Sequence, residues 1–357
     1  MISKLTKGAL DLLKKLIETQ SFSGEEDKTA LLIQEWFELN KIPFERDNNN
    51  VWAKNKYFDT SKSTILLNSH HDTVKPNKAY TRDPFKAEVI EDKLYGLGSN
   101  DAGGSLVSLL ATFTHFYERK DLKYNLIILA SAEEENSGPK GIRTVLPLLP
   151  EIDFAIVGEP TLMHLAIAEK GLLVLDCYAH GKAGHAAHGT GDNALYKAVE
   201  AIQWFKNFSF AKVSNTLGEV KMSVTQIEAG KQHNVVPAEC HFVVDVRTTD
   251  RYSNKEVLEI IKENVDVEVK ERSLRHDSSS IPIDHPIVLA GNKLGRKTYG
   301  SPTMSDQTAL TCSSLKLGPG DSHRSHTADE FIYLIEVGEG IKIYIELINT
   351  LNYETLG

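Results

Sequence analysis

Five short segments of this chain gather side chains that can bind cations or move protons. The first is Asn68-Ser69-His70-His71-Asp72, directly after the apolar run Ile65-Leu66-Leu67. Residues two apart in an extended chain point the same way, so His70 and Asp72 share a face and His71 lies opposite. An imidazole can bind a metal through one nitrogen while a carboxylate holds its other N–H. A hydrogen-bonded turn would use the same residues. The second segment is Gly98-Ser99-Asn100-Asp101-Ala102-Gly103-Gly104, whose glycines permit close backbone approach. Asp101, projecting from such a turn, could bridge two cations; the competing reading is an ordinary helix start. A phosphate loop is disfavoured, because there is no Gly-Lys-Ser/Thr and no strand–GxGxxG–helix fingerprint.

The third segment, Ser131 to Gly138, follows the apolar run Leu126 to Ala130 and contains Glu133-Glu134-Glu135. Three carboxylates at the end of a buried strand are unfavourable unless positive charge neutralises them; a solvated acidic loop is the alternative. The fourth, Val157-Gly158-Glu159-Pro160-Thr161, again follows an apolar run. The fifth is Gly318-Pro319-Gly320, then Ser322 to Glu330 with His323 and His326. A mixed imidazole and carboxylate set suits zinc or a similar borderline cation rather than calcium. The lack of thiolates argues against a zinc finger.

The elements that must hold these segments are legible from periodicity. Leu5, Ala9, Leu12, Leu13 and Leu16 recur at helical spacing. Ser23-Gly24-Glu25-Glu26 reads as a capping box opening a helix through Leu32, Trp36 and Leu39. Short apolar runs at 65–67, 126–129 and 154–157 read as buried strands, with a helix from Ser105 to about Tyr117 between the first two. Strand–helix–strand order predicts an α/β core with a mixed, largely parallel sheet flanked by helices. Ligands bind such sheets beyond the carboxyl ends of the strands, where the polar segments fall. From Gly171 the texture changes: strands at 172–178, 220–227 and 240–246 and helices at 193–205 and 250–263 predict a smaller inserted α+β domain. The expected division is 1–171 with 282–357, and 172–281, closed by a helix over 330–347.

The chain has 357 residues and a net charge of −9 with both signs interspersed, which disfavours nucleic acid as a partner. Cys177, Cys240 and Cys312 lie far apart and form no Cys-x-x-Cys pair, as expected of thiols in a reducing compartment. No signal peptide and no membrane-spanning run is legible, so the expected location is the cytoplasm.

The series SHHDTV, GLGSNDAGG, AEEENSG, GEPT, GKAGHAAHG, NVVPAECHFVVDVR and GPG with SHTADEF resembles the acetylornithine deacetylase/succinyl-diaminopimelate desuccinylase family of dinuclear metallopeptidases over nearly the whole chain. The closing GPGDS and SHTADEF are nearer the acetylornithine deacetylase side. The resemblance implies a zinc-exopeptidase-like catalytic domain with an inserted dimerisation or lid domain. It implies two divalent ions, zinc with cobalt able to substitute: Asp101 bridges them, His70 and Glu159 complete one site, and Glu135 and His326 the other. It implies Glu134 as general base, Asp72 behind His70, and His185 reaching an active site across a homodimer to polarise the scissile carbonyl. Asn234 and Arg247 match substrate-binding positions. Arg247 can take a substrate carboxylate in its planar fork, or form a surface ion pair at a strand end. Where the family pattern starts GHTD this chain has Ser69 and His71, and the usual Asp-Glu-Glu is Glu133-Glu134-Glu135. A shift of one in that run would exchange base and ligand.

The implied reaction is deacylation of a small N-acyl amino acid, N-acetylornithine or a relative such as N-acetylcitrulline or N-succinylornithine, in arginine biosynthesis. Desuccinylation of succinyl-diaminopimelate and cleavage of a dipeptide are the enzymatic alternatives. A catalytically silent binding homologue is disfavoured, because all five ligand candidates and Glu134 are present. His188, His233 and His323 are the histidines left near the expected site, without an assigned role.

Overall fold

The computed structural model describes residues 2–353 and divides into two compact units. One comprises Met1–Ile167, Ser280–Tyr299 and Ser305–Gly357; the other comprises Ala168–Ser279 and Gly300–Met304. The second unit thus takes in a later short segment that the pattern of the sequence gives no reason to expect.

Along the chain the first unit begins with α1 (Ile2–Ile17), α2 (Asp27–Leu39), β1 (Glu45–Asp47), β2 (Asn50–Lys54) and β3 (Thr64–His70). A small hairpin, β4 (Glu88–Ile90) and β5 (Lys93–Tyr95), precedes α3 (Gly104–Phe116). Then come β6 (Asn125–Ser131), the short α4 (Ile142–Val145), β7 (Phe154–Val157) and β8 (Leu165–Glu169). The second unit supplies β9 (Gly171–His180), β10 (Gly184–His185), α5 (Ala194–Asn207), β11 (Lys221–Ala229), β12 (Val235–Val236), β13 (Glu239–Thr248), α6 (Asn254–Asn264) and β14 (Glu268–Glu271). The chain returns through β15 (Ser279–Ser280), α7 (Pro286–Lys293) and β16 (Thr298–Ser301), and ends with β17 (Ser313–Lys316), β18 (Phe331–Tyr333) and α8 (Leu334–Tyr353).

In the first unit the main sheet runs β1-β2-β6-β3-β7-β17-β8. Its centre, β6-β3-β7-β17, is parallel, and the flanking pairs β1–β2, β2–β6 and β17–β8 are antiparallel. It is a mixed, largely parallel α/β sheet. β3, β6 and β7 are buried along their whole length, because helices cover both faces of such a sheet and leave no polar side. α1, α3 and α8 pack together, and Leu13, Phe37, Phe113, Phe154 and Tyr344 are fully enclosed within this unit's main core. Four parallel strands bring the ends of β3, β6, β7 and β17 to one end of the sheet, and four of the five polar segments adjoin those ends, while the Asp101 loop leads into α3.

The second unit holds an antiparallel sheet β11-β13-β9-β14, in which β9 alternates strictly. Leu173, Leu175, Cys177 and Ala179 of β9 are buried and the residues between them are not, the period-two pattern of a sheet with one covered face. Ala194, Ala198 and Phe205 of α5, with Val257 and Ile261 of α6, join that core. α6 starts on a true capping box, Ser253 with Glu256.

Two local expectations are corrected. Ser23 does not cap α2, which begins at Asp27. Its hydroxyl donates instead to Asp72 Oδ2 at 2.7 Å, a longer-range partner that outcompetes the local amide. Residues 331–333 form β18 rather than helix, pairing with β5. None of the described helices is long and apolar enough to cross a membrane.

Candidate metal centre

His70 closes β3. Its Nδ1 lies 3.0 Å from the Asp72 carbonyl oxygen and 3.5 Å from Asp72 Oδ1, which leaves Nε2 to face the cluster. There it is 3.3 Å from Asp101 Oδ1, 3.8 Å from Glu159 Oε1 and 4.0 Å from Glu134 Oε2. On the other side His326 Nε2 lies 2.9 Å from Glu135 Oε2 and 3.6 Å from Asp101 Oδ2. One oxygen of Asp101 therefore faces each imidazole. His70, Asp101 and Glu159 form one group whose donor atoms lie within 4.8 Å of one another, and Asp101, Glu135 and His326 form a second.

Local chemistry explains how each side chain reaches its place. Gly98, at φ +74°, turns the chain into the Asp101 loop in a conformation that favours glycine. After β6 the chain reverses at Glu133, which has φ +54° and whose carboxylate accepts from the Lys140 amide at 2.9 Å. That side chain turns away, while the amides of Glu134 and Glu135 donate to the two oxygens of Asp72 at 3.0 and 3.1 Å. Asp72 thus holds both the ring of His70 and the turn that aims Glu134 and Glu135. His71 lies on the opposite side, buried, with its ring nitrogens on Thr29 Oγ1 and the Asn49 carbonyl.

The charges of the cluster suit it to cations. Burial pushes the carboxyls of Glu134, Glu135 and Glu159 upward, Glu159 to about 8, and neighbouring carboxylates add to each shift. His326 is held up to about 9 by its bond to Glu135. His70 is raised despite burial, by its bonds to Asp101 and Asp72. Crowded buried carboxylates take up protons when positive charge is insufficient. A pair of divalent cations between these donors would supply it, and imidazole with carboxylate is a donor set that fits.

Some participants are invisible to sequence reading. Asp306 is buried and accepts from Ser131 Oγ at 2.5 Å across 175 residues of chain; burial raises it to about 6. Glu26 accepts from the Glu133 amide at 3.2 Å and from Asn49 Nδ2 at 2.8 Å. Glu26 is marked in the sequence only as part of the expected capping box and Asp306 not at all, because their partners here are distant in sequence.

The remaining candidates, His323 apart, belong to the second unit. His185 sits on β10, paired with Val235 of β12, its ring exposed and 4.9 Å from that of His188. The Asn234 carbonyl accepts from the Ala186 amide at 3.0 Å. Arg247 forks onto Asp245, with Nε–Oδ1 at 2.8 Å and Nη2–Oδ2 at 3.0 Å. His233 is exposed, and His323, in the first unit, rests on Asp321 at 2.9 Å.

The model of peptidase family M20/M25/M40 matches residues 66–350. An acetylornithine deacetylase from Erwinia tasmaniensis is 29% identical, with 90% of this chain and 92% of that protein covered. A succinyl-diaminopimelate desuccinylase from Wolbachia pipientis is 26% identical over 72% of this chain and 68% of its own. Among solved structures, a dinuclear metal-binding M20 peptidase from Bacillus subtilis superposes with a TM-score of 0.74 at 16% identity, covering 97% of this chain and 98% of that one. The match over most of the chain identifies this protein as a member of peptidase family M20/M25/M40 and an amide hydrolase of that family.

Proposed function

We propose that the protein removes the acyl group from a small N-acyl amino acid, N-acetylornithine foremost, as a two-zinc enzyme of arginine biosynthesis in the cytoplasm. The observation that carries the reaction class is Asp101 with one oxygen toward each of two imidazoles and Glu134 beside it. The substrate rests on the likeness to acetylornithine deacetylases along nine-tenths of the chain. His70, Asp101 and Glu159 would hold one ion, and Asp101, Glu135 and His326 the other; cobalt can take the place of zinc. Two such ions polarise a scissile carbonyl and lower the pKa of the attacking water. Glu134 takes the water's proton and delivers it to the leaving amine. Asp72 keeps His70 in the tautomer that presents Nε2, and keeps Glu134 aimed through its backbone amide.

His185, from the other subunit of a homodimer, would donate to the developing oxyanion, a contribution on the order of 3 kcal/mol for one donor. Support for self-association comes from β11, which among the described residues is an edge strand paired with β13 alone and largely exposed; such edges are templates for pairing. Exposed Tyr196 and Val199 of α5 and Ile227 of β11 belong to the same unit. Arg247 and Asn234 would bind the substrate, Arg247 exchanging Asp245 for the substrate carboxylate.

The test is turnover of N-acetylornithine, before and after chelation and zinc or cobalt addback, beside N-succinylornithine, succinyl-diaminopimelate and a dipeptide. Chelation-sensitive deacetylation restored by metal is expected. Turnover of the dipeptide alone would overturn the biosynthetic reading, and turnover of succinyl-diaminopimelate alone would move the protein to desuccinylation.

A further inference from the structure

Glu330 follows His326 by four residues and is buried. It makes no hydrogen bond to the proposed ligand side chains. Its Oε1 accepts from the amides of Asn100 and Asp101 at 2.8 and 2.9 Å, and its Oε2 from the amide of Gly98 at 3.2 Å. Its own carbonyl accepts from the Gly96 amide at 3.0 Å. Residues 96–101 are therefore gripped through their backbone by a single residue of the His326 segment. The residue before it, Asp329, grips the amides of Thr81 and Arg82 at 3.0 and 2.9 Å and so anchors the segment itself. His326 is at φ +58°, a conformation a non-glycine residue holds only when its surroundings impose it.

Three amides converging on one enclosed carboxylate would leave buried donors unmatched if it were lost, so the contact constrains both loops. A ligand's orientation depends on the groups that hold it from behind. Here the group behind the shared ligand Asp101 belongs to the segment that carries His326.

We infer that Glu330 is a positioning residue that ties the shared carboxylate of Asp101 to His326, so that the two cation positions are built and lost together. The inference rests on the reading that Asp101 serves two ions. Glu330→Gln tests it with little change of volume: one amide oxygen can still accept, while its NH2 is forced against an N–H donor. Zinc is titrated against a competing chelator into the metal-free full-length chain, wild type and variant, and metal-free melting is followed in parallel. The wild type should take two zinc ions per chain. In Glu330→Gln both affinities should fall on the order of 10–100-fold, while the metal-free melting temperature stays within about 5 °C.

Equal affinities in variant and wild type would overturn the inference. So would weakening of one ion alone, which would make Glu330 a support for a single loop. If Glu330→Gln does not fold, Glu330→Asp, which keeps the charge but is one methylene short, is titrated the same way. It should weaken both ions, and unchanged binding in it overturns the inference equally. A wild-type chain that takes no zinc removes the two-ion reading itself, and this inference with it.

Discussion

Glu134 and Glu135 are neighbours in the chain but face different groups. Glu134 Oε2 lies 4.0 Å from His70, and Glu135 Oε2 lies 2.9 Å from His326. Changing the first should remove proton transfer without removing ions. Glu134→Gln is expected to lower kcat on the order of 10²–10⁴-fold with bound metal retained on elemental analysis. Glu135→Gln and His70→Ala should instead lose metal. An active Glu134→Gln beside an inactive, fully metallated Glu135→Gln would exchange the two roles.

At the scale of elements, the turn after β6 depends on the small residue that closes it. A Cβ on Gly138 would come within 2.1 Å of Glu133 Oε2 and 2.7 Å of Glu133 Cβ, so Gly138→Ala must displace the side chain that folds the turn. It should destabilise the chain by about 1–3 kcal/mol in denaturant unfolding and lower turnover, because Glu134 and Glu135 ride on that turn. Unchanged stability and turnover would show that the turn has room to adjust. In the second unit, Arg272, which directly follows β14, and His241 of β13 bond to Asp176 of β9 and hold its carboxyl down to about 2. The unfolded value is about 3.9, so this stabilisation is present above about pH 4 and lost as pH falls through about 2. The melting deficit of Asp176→Asn should therefore be larger at pH 6 than at pH 2.5; a deficit independent of pH would mean that the charge is not what matters.

For the whole molecule, ions held only by the folded state stabilise it by mass action, about 2.7 kcal/mol when free ion is a hundred times the dissociation constant. Chelation should lower the melting temperature and zinc or cobalt should restore it; indifference to both would argue against ions bound at Asp101. Sedimentation at assay concentration should give a dimer. An active monomer would remove His185 from the reaction.

The apolar runs placed β7 and α3 nearly to the residue and located β3 and β6, but β3 extends three residues past its run, to His70, and β6 two past its own, to Ser131, because polar residues that find partners in the fold continue a strand that the apolar pattern ends. Three of the chemistry-bearing segments were equally legible, because they directly follow β3, β6 and β7 and parallel strands deliver such segments to one end of the sheet; the Asp101 loop instead leads into α3, and the His326 segment follows β17. What tertiary structure decided is which atoms face which. It turned Glu133 away and split the oxygens of Asp101 between two imidazoles. It withdrew Ser23 from a helix cap to Asp72, closed the fork of Arg247 on Asp245, and drew in Glu26, Asp306 and Glu330. Arg247 and Asp245 are two residues apart on one strand, and there the fold only let a local pair close. The bonds of Ser23, Asp306 and Glu330 depend on partners many residues distant, where the desolvation of a buried charge rather than any local preference selects the bond, and no spacing in a sequence encodes that choice.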